Sequence, residues 1–321
     1  MVEVAIPVYK ARDTLPQALN SLLTQTKKHF ITCLSIDGDG DTYKDIIDDY
    51  RARGLKIRVL YAEENGGPGM ARQAAIDTTQ CDYIMFLDAD DMLMPQAVRN
   101  LYDAARYGNY DILRSGFLRE EQHKNDMVLP ADIATITWTH GKIYKVAYLR
   151  KNNIRFLDGL RTDEDAHFNL IAWNCTKNRG QINDTTYLWR DYKNSLTRRE
   201  GESGYFRRTF SEYIRGQVEG MKRIYQITGE VNHSLFNGTF VNIYTYYQRA
   251  AYYGLDLSAA NEHISSLKTE PWLETYLNEG QNWIYFAQNI TCGAFYDEEI
   301  VFFYKESINL WITRLLRNVD N

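Results

Sequence analysis

Four short segments carry side chains whose types and spacing could do chemistry. Asp88-Ala89-Asp90-Asp91 crowds three carboxylates directly after the apolar run of residues 83–87. Like charges this close repel one another, so the segment calls for a cation or for several hydrogen-bond donors. Oxygen-only donors suit Mg²⁺ or Mn²⁺, which keep waters and take substrate phosphates as further ligands. An exposed acidic turn before a helix is the plain alternative. Asp37-Gly38-Asp39-Gly40-Asp41 ends another apolar run; its spacing resembles a calcium loop, but the twelfth position holds Asp48 instead of Glu. A carboxylate there can accept a base N–H, and a Gly-Asp turn is the simpler reading.

Asn65-Gly66-Gly67-Pro68-Gly69-Met70-Ala71-Arg72 is a Gly-rich loop opening a helix, a setting that favours close backbone approach and phosphate. It does not make a dinucleotide fingerprint, because it follows the third strand and Arg72 holds the last Gly/Ala position. The guanidinium can pair with phosphate or with carboxylates. Glu164 and Asp165 stand in the first turn of a helix, where the helix dipole favours acids whatever their role. Trp138 and His140 are weighed as ligand contacts against core packing. His140 and His167, among only six histidines, are read as packing or surface residues before metal ligands.

The elements that must position these groups alternate. Strands are expected at 2–8, 31–36, 56–61, 83–87 and 111–113, and helices at 15–23, 42–53, 68–78 and 95–107. Thr14, with Pro16 and Gln17 behind it, reads as a capping box. Such alternation predicts βαβ units in a mostly parallel sheet, with ligands beyond the strands' carboxyl ends. Pro7-Val8-Tyr9 and three of the four segments leave strand ends on that one rim. Strands at 138–145 and 186–190 and a helix at 164–173 follow. Beyond Gly204 helices are expected at 205–227, 235–253, 258–268, 270–277 and 298–317.

With 321 residues, length alone predicts two domains at roughly 100–200 residues each. The boundary is placed at 204/205: a catalytic domain over 1–204 and a helical one over 205–321. Apolar residues are 44% and charged residues 25%, which excludes a disordered or low-complexity chain. A net charge of −5 gives no chain-wide footprint for nucleic acid. Four scattered cysteines, Cys33, Cys81, Cys175 and Cys292, form neither a disulfide framework nor a zinc pattern. No apolar run approaches the ~18 residues of a membrane span, and no signal peptide opens the chain, so a soluble cytoplasmic protein is expected. Lys193, Arg198, Arg199, Arg207, Arg208 and Arg215 read as a solvated face, with a lid or a contact to an anionic polymer as the sharper alternative. The aromatic share is 13%, driven by 24 Tyr. Many of these lie in the expected helical domain, where they predict core packing or a surface for self-association or for docking a substrate.

Taken in order, Ile6-Pro7-Val8-Tyr9, Ile36-Asp37-Gly38, the Asn65–Arg72 loop, Phe86-Leu87-Asp88-Ala89-Asp90-Asp91 and Glu164-Asp165 resemble the family 2 glycosyltransferases of the GT-A fold. The resemblance is clear over residues 1–115 and looser to about 200. It implies a Rossmann-like mixed sheet and a soluble, metal-dependent, inverting enzyme that uses a nucleotide-sugar donor, typically a UDP-sugar, and an acceptor hydroxyl on a glycan, polymer or other molecule. Pro7, Val8, Tyr9 and Asp37 would line the base pocket, with Asn65, Gly67 and Arg72 holding the donor. Asp88 and Ala89 would lie at the ribose, and Asp90, with Asp88, would hold Mn²⁺ or Mg²⁺ on the diphosphate. Asp165, beside Glu164, would be the general base, and Trp138 and His140 would contact the acceptor. The usual Asp-Asp-Gly-Ser turn is replaced by Asp37-Gly38-Asp39-Gly40, and the processive Gln-x-x-Arg-Trp signature is missing. A sugar-phosphate nucleotidyltransferase is disfavoured because its Gly-rich loop should follow the first strand. A non-catalytic carbohydrate-binding or scaffold protein is argued against by the intact acidic set.

Overall fold

The computed structural model describes residues 1–123, 126–128, 131–132, 135–191, 201–279, 296–297, 300–301 and 308–316. Contacts divide the chain into two compact units, Met1–Ser195 and Leu196–Asn321. The expected 204/205 boundary therefore falls inside the first helix of the second unit. Lys193, Arg198, Arg199, Cys292 and much of the helix expected at 298–317 lie outside the described residues.

In the first unit β1 (Val2–Val8), β2 (Phe30–Asp37), β3 (Ile57–Ala62) and β4 (Tyr83–Phe86) alternate with α1 (Leu15–Leu23), α2 (Lys44–Ala52) and α3 (Pro68–Thr78). Then come β5 (Met92–Leu93), α4 (Ala97–Tyr107), β6 (Ile112–Arg119), β7 (Glu121–His123), β8 (Asp126–Val128), β9 (Ala131–Asp132), β10 (Lys142–Lys145), α5 (Val146–Lys151), α6 (Glu164–Asn174) and β11 (Arg179–Trp189). The strands of the main sheet run β3-β2-β1-β4-β10-β6-β11-β5, with β9 paired to β6. β1 is buried along its length except for partial exposure at Pro7, as a central strand covered on both faces must be. Val2, Val4, Ile6 and Val8 pack with Leu15, Leu19 and Leu22 of α1 in one core.

Two departures from the sequence reading matter. The capping box does not form: Thr14 adopts a helical conformation, and its hydroxyl donates back to Ala11 O at 3.4 Å instead of forward into the helix. The strand expected at 138–145 begins only at Lys142, leaving Trp138 to Gly141 as a turn. That shortening serves the site. β10 runs antiparallel to β4, with Ile143 opposite Met85 and Lys145 opposite Tyr83. The turn before β10 therefore lies at the carboxyl end of β4, where Asp88 stands. The two-residue strand β5 pairs antiparallel with β11, placing Tyr187 opposite Leu93 just past the acidic run.

The second unit is mainly helical: α7 (Gly201–Thr228), α8 (His233–Tyr252), α9 (Ser258–Ser265), a 3₁₀ turn, α10 (Leu273–Asn278) and a further helix over Ile308–Leu316. Asn232 caps α8 by accepting from Leu235 N at 3.1 Å. Several tyrosines pack within the unit: Tyr244 and Tyr247 are buried against Trp311, and Tyr213 stacks on Tyr246 with centroids 3.8 Å apart. Tyr252 is exposed. No helix among the described residues is long and apolar enough to cross a membrane.

Candidate active site

The rim begins where β1 and β2 end side by side, Pro7 opposite Ser35 and Val8 opposite Ile36. Pro7 is half-buried, Val8 buried, and Tyr9 exposed with the Lys10 ammonium 5.1 Å from its ring. Asp37, the last residue of β2, is buried, and its two oxygens accept the N–H groups of Gly66 and Gly67, each at 2.9 Å. Asn65 Nδ2 donates to Asp37 O at 3.1 Å. Asp37 thus sets the shape of the Gly-rich loop. Arg161 closes over that loop, donating to Asn65 Oδ1 and Asn65 O, each at 3.0 Å.

The replaced turn has a steric reason. Gly38 stands at φ +66°, and a Cβ there would lie 2.5 Å from Asn65 N. Backbone of the Asp37 turn and of the Gly-rich loop are in contact, so this position takes only glycine. Asp39, one residue on, accepts from Lys10 N at 2.8 Å and from the Tyr43 hydroxyl.

Arg72, projecting from α3, is the hub of the acidic set. Its Nη2 donates to Asp88 Oδ1 at 2.5 Å and its Nη1 to Glu164 Oε1 at 2.6 Å, with the guanidinium almost wholly buried. Gly69 makes room for this: a Cβ there would come within 3.0 Å of Glu164 Cγ. Burial works to raise the Asp88 carboxyl, but the Arg72 charge and the His140 side chain outweigh it and hold it low. For Glu164 burial wins, and its carboxyl is raised despite Arg72. Asp165 follows at the start of α6, where burial and then the Glu164 charge push its carboxyl well above the usual carboxylate range. A carboxylate made more basic in this way is suited to take a proton.

Asp91, not singled out from sequence, is the most buried carboxylate of its run. It accepts from the Tyr187 hydroxyl at 2.6 Å and from Arg190 N at 2.8 Å, tying the end of β11 to the acidic turn. Burial, then the charges of Asp90 and Asp88, push its carboxyl well up. His140 lies against this run, its ring stacked on Tyr187 with centroids 4.4 Å apart. Trp138 is half-buried, 5.4 Å from Trp189 between ring centroids. Lys142, also unremarked as an individual residue in the sequence, is buried behind the turn. Its ammonium donates to Trp138 O and lies 3.5 Å from His140 O. Burial lowers it to about 7 against the opposing pull of Asp165.

Arg72 thus joins Asp88 to Glu164, and His140 lies against Asp88 and Asp91. No distance places Trp138 against the acid groups. Tyr187, Trp189 and Lys142 carry no signal in spacing, because their roles come from antiparallel strands late in the chain.

A curled mixed sheet whose strand ends gather a buried carboxylate, a Gly-rich loop and an acidic run is the GT-A fold of nucleotide-sugar transferases. The chain belongs to the Glycosyl transferase family 2, whose model matches residues 3–168. It is 26% identical over 217 residues to the uncharacterized glycosyltransferase EpsJ of Bacillus subtilis, a match covering 61% of this chain and 63% of that protein. It is 27% identical over 219 residues to the poly(ribitol-phosphate) beta-glucosyltransferase of Bacillus spizizenii, covering 63% of this chain and 33% of that protein. The chain thus spans less than two thirds of either relative. Among solved structures it is similar to Staphylococcus aureus TarS 1-349, with a TM-score of 0.53 at 19% identity, covering 86% of each chain. TarS 1-349 has also been solved with UDP-GlcNAc, at TM-score 0.53 and 18% identity, covering 86% of each chain.

Proposed function

We propose that the protein transfers a sugar from a nucleoside diphosphate donor, UDP-linked, to an acceptor hydroxyl with inversion at the anomeric carbon. The observation that carries this is the Arg72 bridge, which ties the start of α6, and with it Asp165, to the acidic run at the end of β4. In this reading Pro7, Tyr9 and Asp37 face the base, Asn65 and Gly67 shape the loop around the donor, and Asp88 reaches the ribose. Asp165 takes the acceptor hydroxyl proton as that oxygen attacks. Half-buried Trp138 offers an aromatic face to the acceptor, beside His140.

The acidic run fits a divalent ion. Asp88, Asp90 and Asp91 crowd together, and Arg72, the buried cation that Asp88 bonds, is shared with Glu164. Asp88 and Asp90 are the residues the resemblance assigns to it, and such an ion supplies Lewis-acid stabilisation of the departing diphosphate. Two relatives are named for poly(ribitol-phosphate), so polyol-phosphate polymers belong among the acceptors tried, alongside glycans. The helical unit is assigned to acceptor docking or self-association.

The test is to incubate the purified protein with Mn²⁺ and a panel of UDP- and GDP-sugars. Slow UDP release from one donor is the expected result. Pyrophosphate-dependent exchange would point to nucleotidyl transfer, and no product from any donor would overturn the assignment.

A further inference from the structure

His140 holds a position that packing alone does not explain. Its side chain is 6% exposed and turned toward the acidic run, with Nε2 3.6 Å from Asp88 Oδ2 and 3.9 Å from Asp91 Oδ2. Both distances are beyond hydrogen-bond reach. Nδ1 is buried and has no partner among the described residues, which leaves Nε2 as the nitrogen that faces the two carboxylates. A ring nitrogen aimed at two carboxylates that it does not hydrogen-bond is a polar group for which an ion between them would supply the partner.

The ring is also held in place. It lies nearly parallel to Tyr187, at an interplanar angle of 15°, and to Trp138 on a 6.1 Å centroid spacing, and it meets Phe117 edge-on. Its backbone is fixed by Lys142 and by Gly141, which sits at φ +60° where a Cβ would come 2.8 Å from Ser115 Oγ. One ligand atom from each of Asp88, Asp91 and His140 lies within 4.8 Å of the others, a spacing that leaves room for an ion between them.

We propose that His140 is a metal ligand, its Nε2 completing with Asp88 and Asp91 a mixed nitrogen–oxygen site for a divalent transition ion. An imidazole ligand favours such an ion over Mg²⁺, whose preferred donors are oxygens. The assignment rests on the reading of this rim as the diphosphate end only for the ion's role, because binding itself is measured without turnover.

The experiment uses the full chain, free of any affinity tag, titrated with Mn²⁺ and followed by electron paramagnetic resonance. Pulsed measurements detect the nitrogen coupling of a ligated imidazole. The expected result is ¹⁴N modulation in the wild type that changes to the ¹⁵N pattern after labelling with ¹⁵N-histidine. His140→Phe keeps a ring to stack on Tyr187; it should bind Mn²⁺ at least about 10-fold more weakly and lose the modulation. Its preference for Mn²⁺ over Mg²⁺ should fall with it. Wild-type protein that binds no Mn²⁺ at millimolar concentration, or binds it without nitrogen coupling, overturns the proposal. So does a folded H140F variant with unchanged affinity. If H140F does not fold, the labelled wild type decides alone. Absence of UDP release alongside intact nitrogen-coupled Mn²⁺ would sink the transfer reading and leave this one standing.

Discussion

Arg72 and Glu164 are 92 residues apart in the chain, yet Arg72 Nη1 meets Glu164 Oε1 at 2.6 Å with both side chains buried. The other arm of the same guanidinium holds Asp88. One side chain therefore links α3, the acidic turn after β4 and the start of α6. Removing it strands two carboxylates. Arg72→Met should lower unfolding stability by about 3–5 kcal/mol, the usual penalty for breaking a buried ion pair from one side. Arg72→Lys keeps the charge but lacks the fork that reaches both acids, so it should fall between. Urea denaturation measures both, and an R72M variant within experimental error of the wild type would refute the bridge.

The contact between Gly38 and the Gly-rich loop makes a second prediction. Gly38→Ala must adopt the left-handed conformation, which costs about 1–3 kcal/mol, and must also push its Cβ away from Asn65 N. The loop then shifts off Asp37. UDP affinity should drop by calorimetry more than stability drops by denaturation. Gly40→Ala is the control: it shares the positive φ at +78° but has open space around it, so it should cost only the strain.

How much of this was readable beforehand depended on which interactions are local. The βαβ run showed in the alternation of apolar residues, and α3 occupies Pro68–Thr78 as expected, because Pro68 early in the helix and a buried alanine face mark it. Asp37 and Asp88 stood out because each carboxylate directly ends an apolar strand run, whereas Asp165 was marked only by the family resemblance, since acids are ordinary in a helix's first turn. Asp91's link to Tyr187 could not be seen, since it depends on β5 and β11 meeting antiparallel across more than ninety residues. Two-residue strands such as β5 have no period to detect. The reading of 138–145 as one strand failed for a related reason: Gly141 needs a positive φ, which bends the chain before β10. That bend is what carries His140 to the rim. The Tyr-rich helices gave a correct element type, but periodicity did not separate core tyrosines such as Tyr244 from the exposed Tyr252.

The base role proposed for Asp165 separates binding from chemistry. On that proposal Asp165→Asn keeps the shape of the helix start and removes the proton acceptor, so turnover should fall by about 10²–10⁴-fold while UDP affinity stays the same. In the wild type the raised carboxyl must lose its proton before it can act. Turnover should therefore rise with pH, with a half-point above the ordinary aspartate value of about 3.9. A D165N variant with near-normal UDP release would remove Asp165 from the mechanism.

Lys142 gives the stability of the first unit a pH dependence of known sign. Burial lowers its amine to about 7 in the folded chain, whereas in the unfolded chain it titrates near ~10.4. Between those values the unfolded state carries the proton and the native state has given it up. Stability contributed by this site is thus fully present above ~10.4 and is lost as pH falls toward 7. The limiting slope is about 1.4 kcal/mol per pH unit. Lys142→Met removes that slope and leaves the carbonyls of Trp138 and His140 without their donor, a fixed cost of about 1–3 kcal/mol. Urea unfolding at several pH values between about 7 and about 9 measures the difference. Wild type should gain on K142M steadily as pH rises, because only the wild type has the buried amine to discharge. Parallel stability curves for the two proteins would show that Lys142 keeps its charge when buried, and that the pocket behind the His140 turn is far more polar than its exposure indicates.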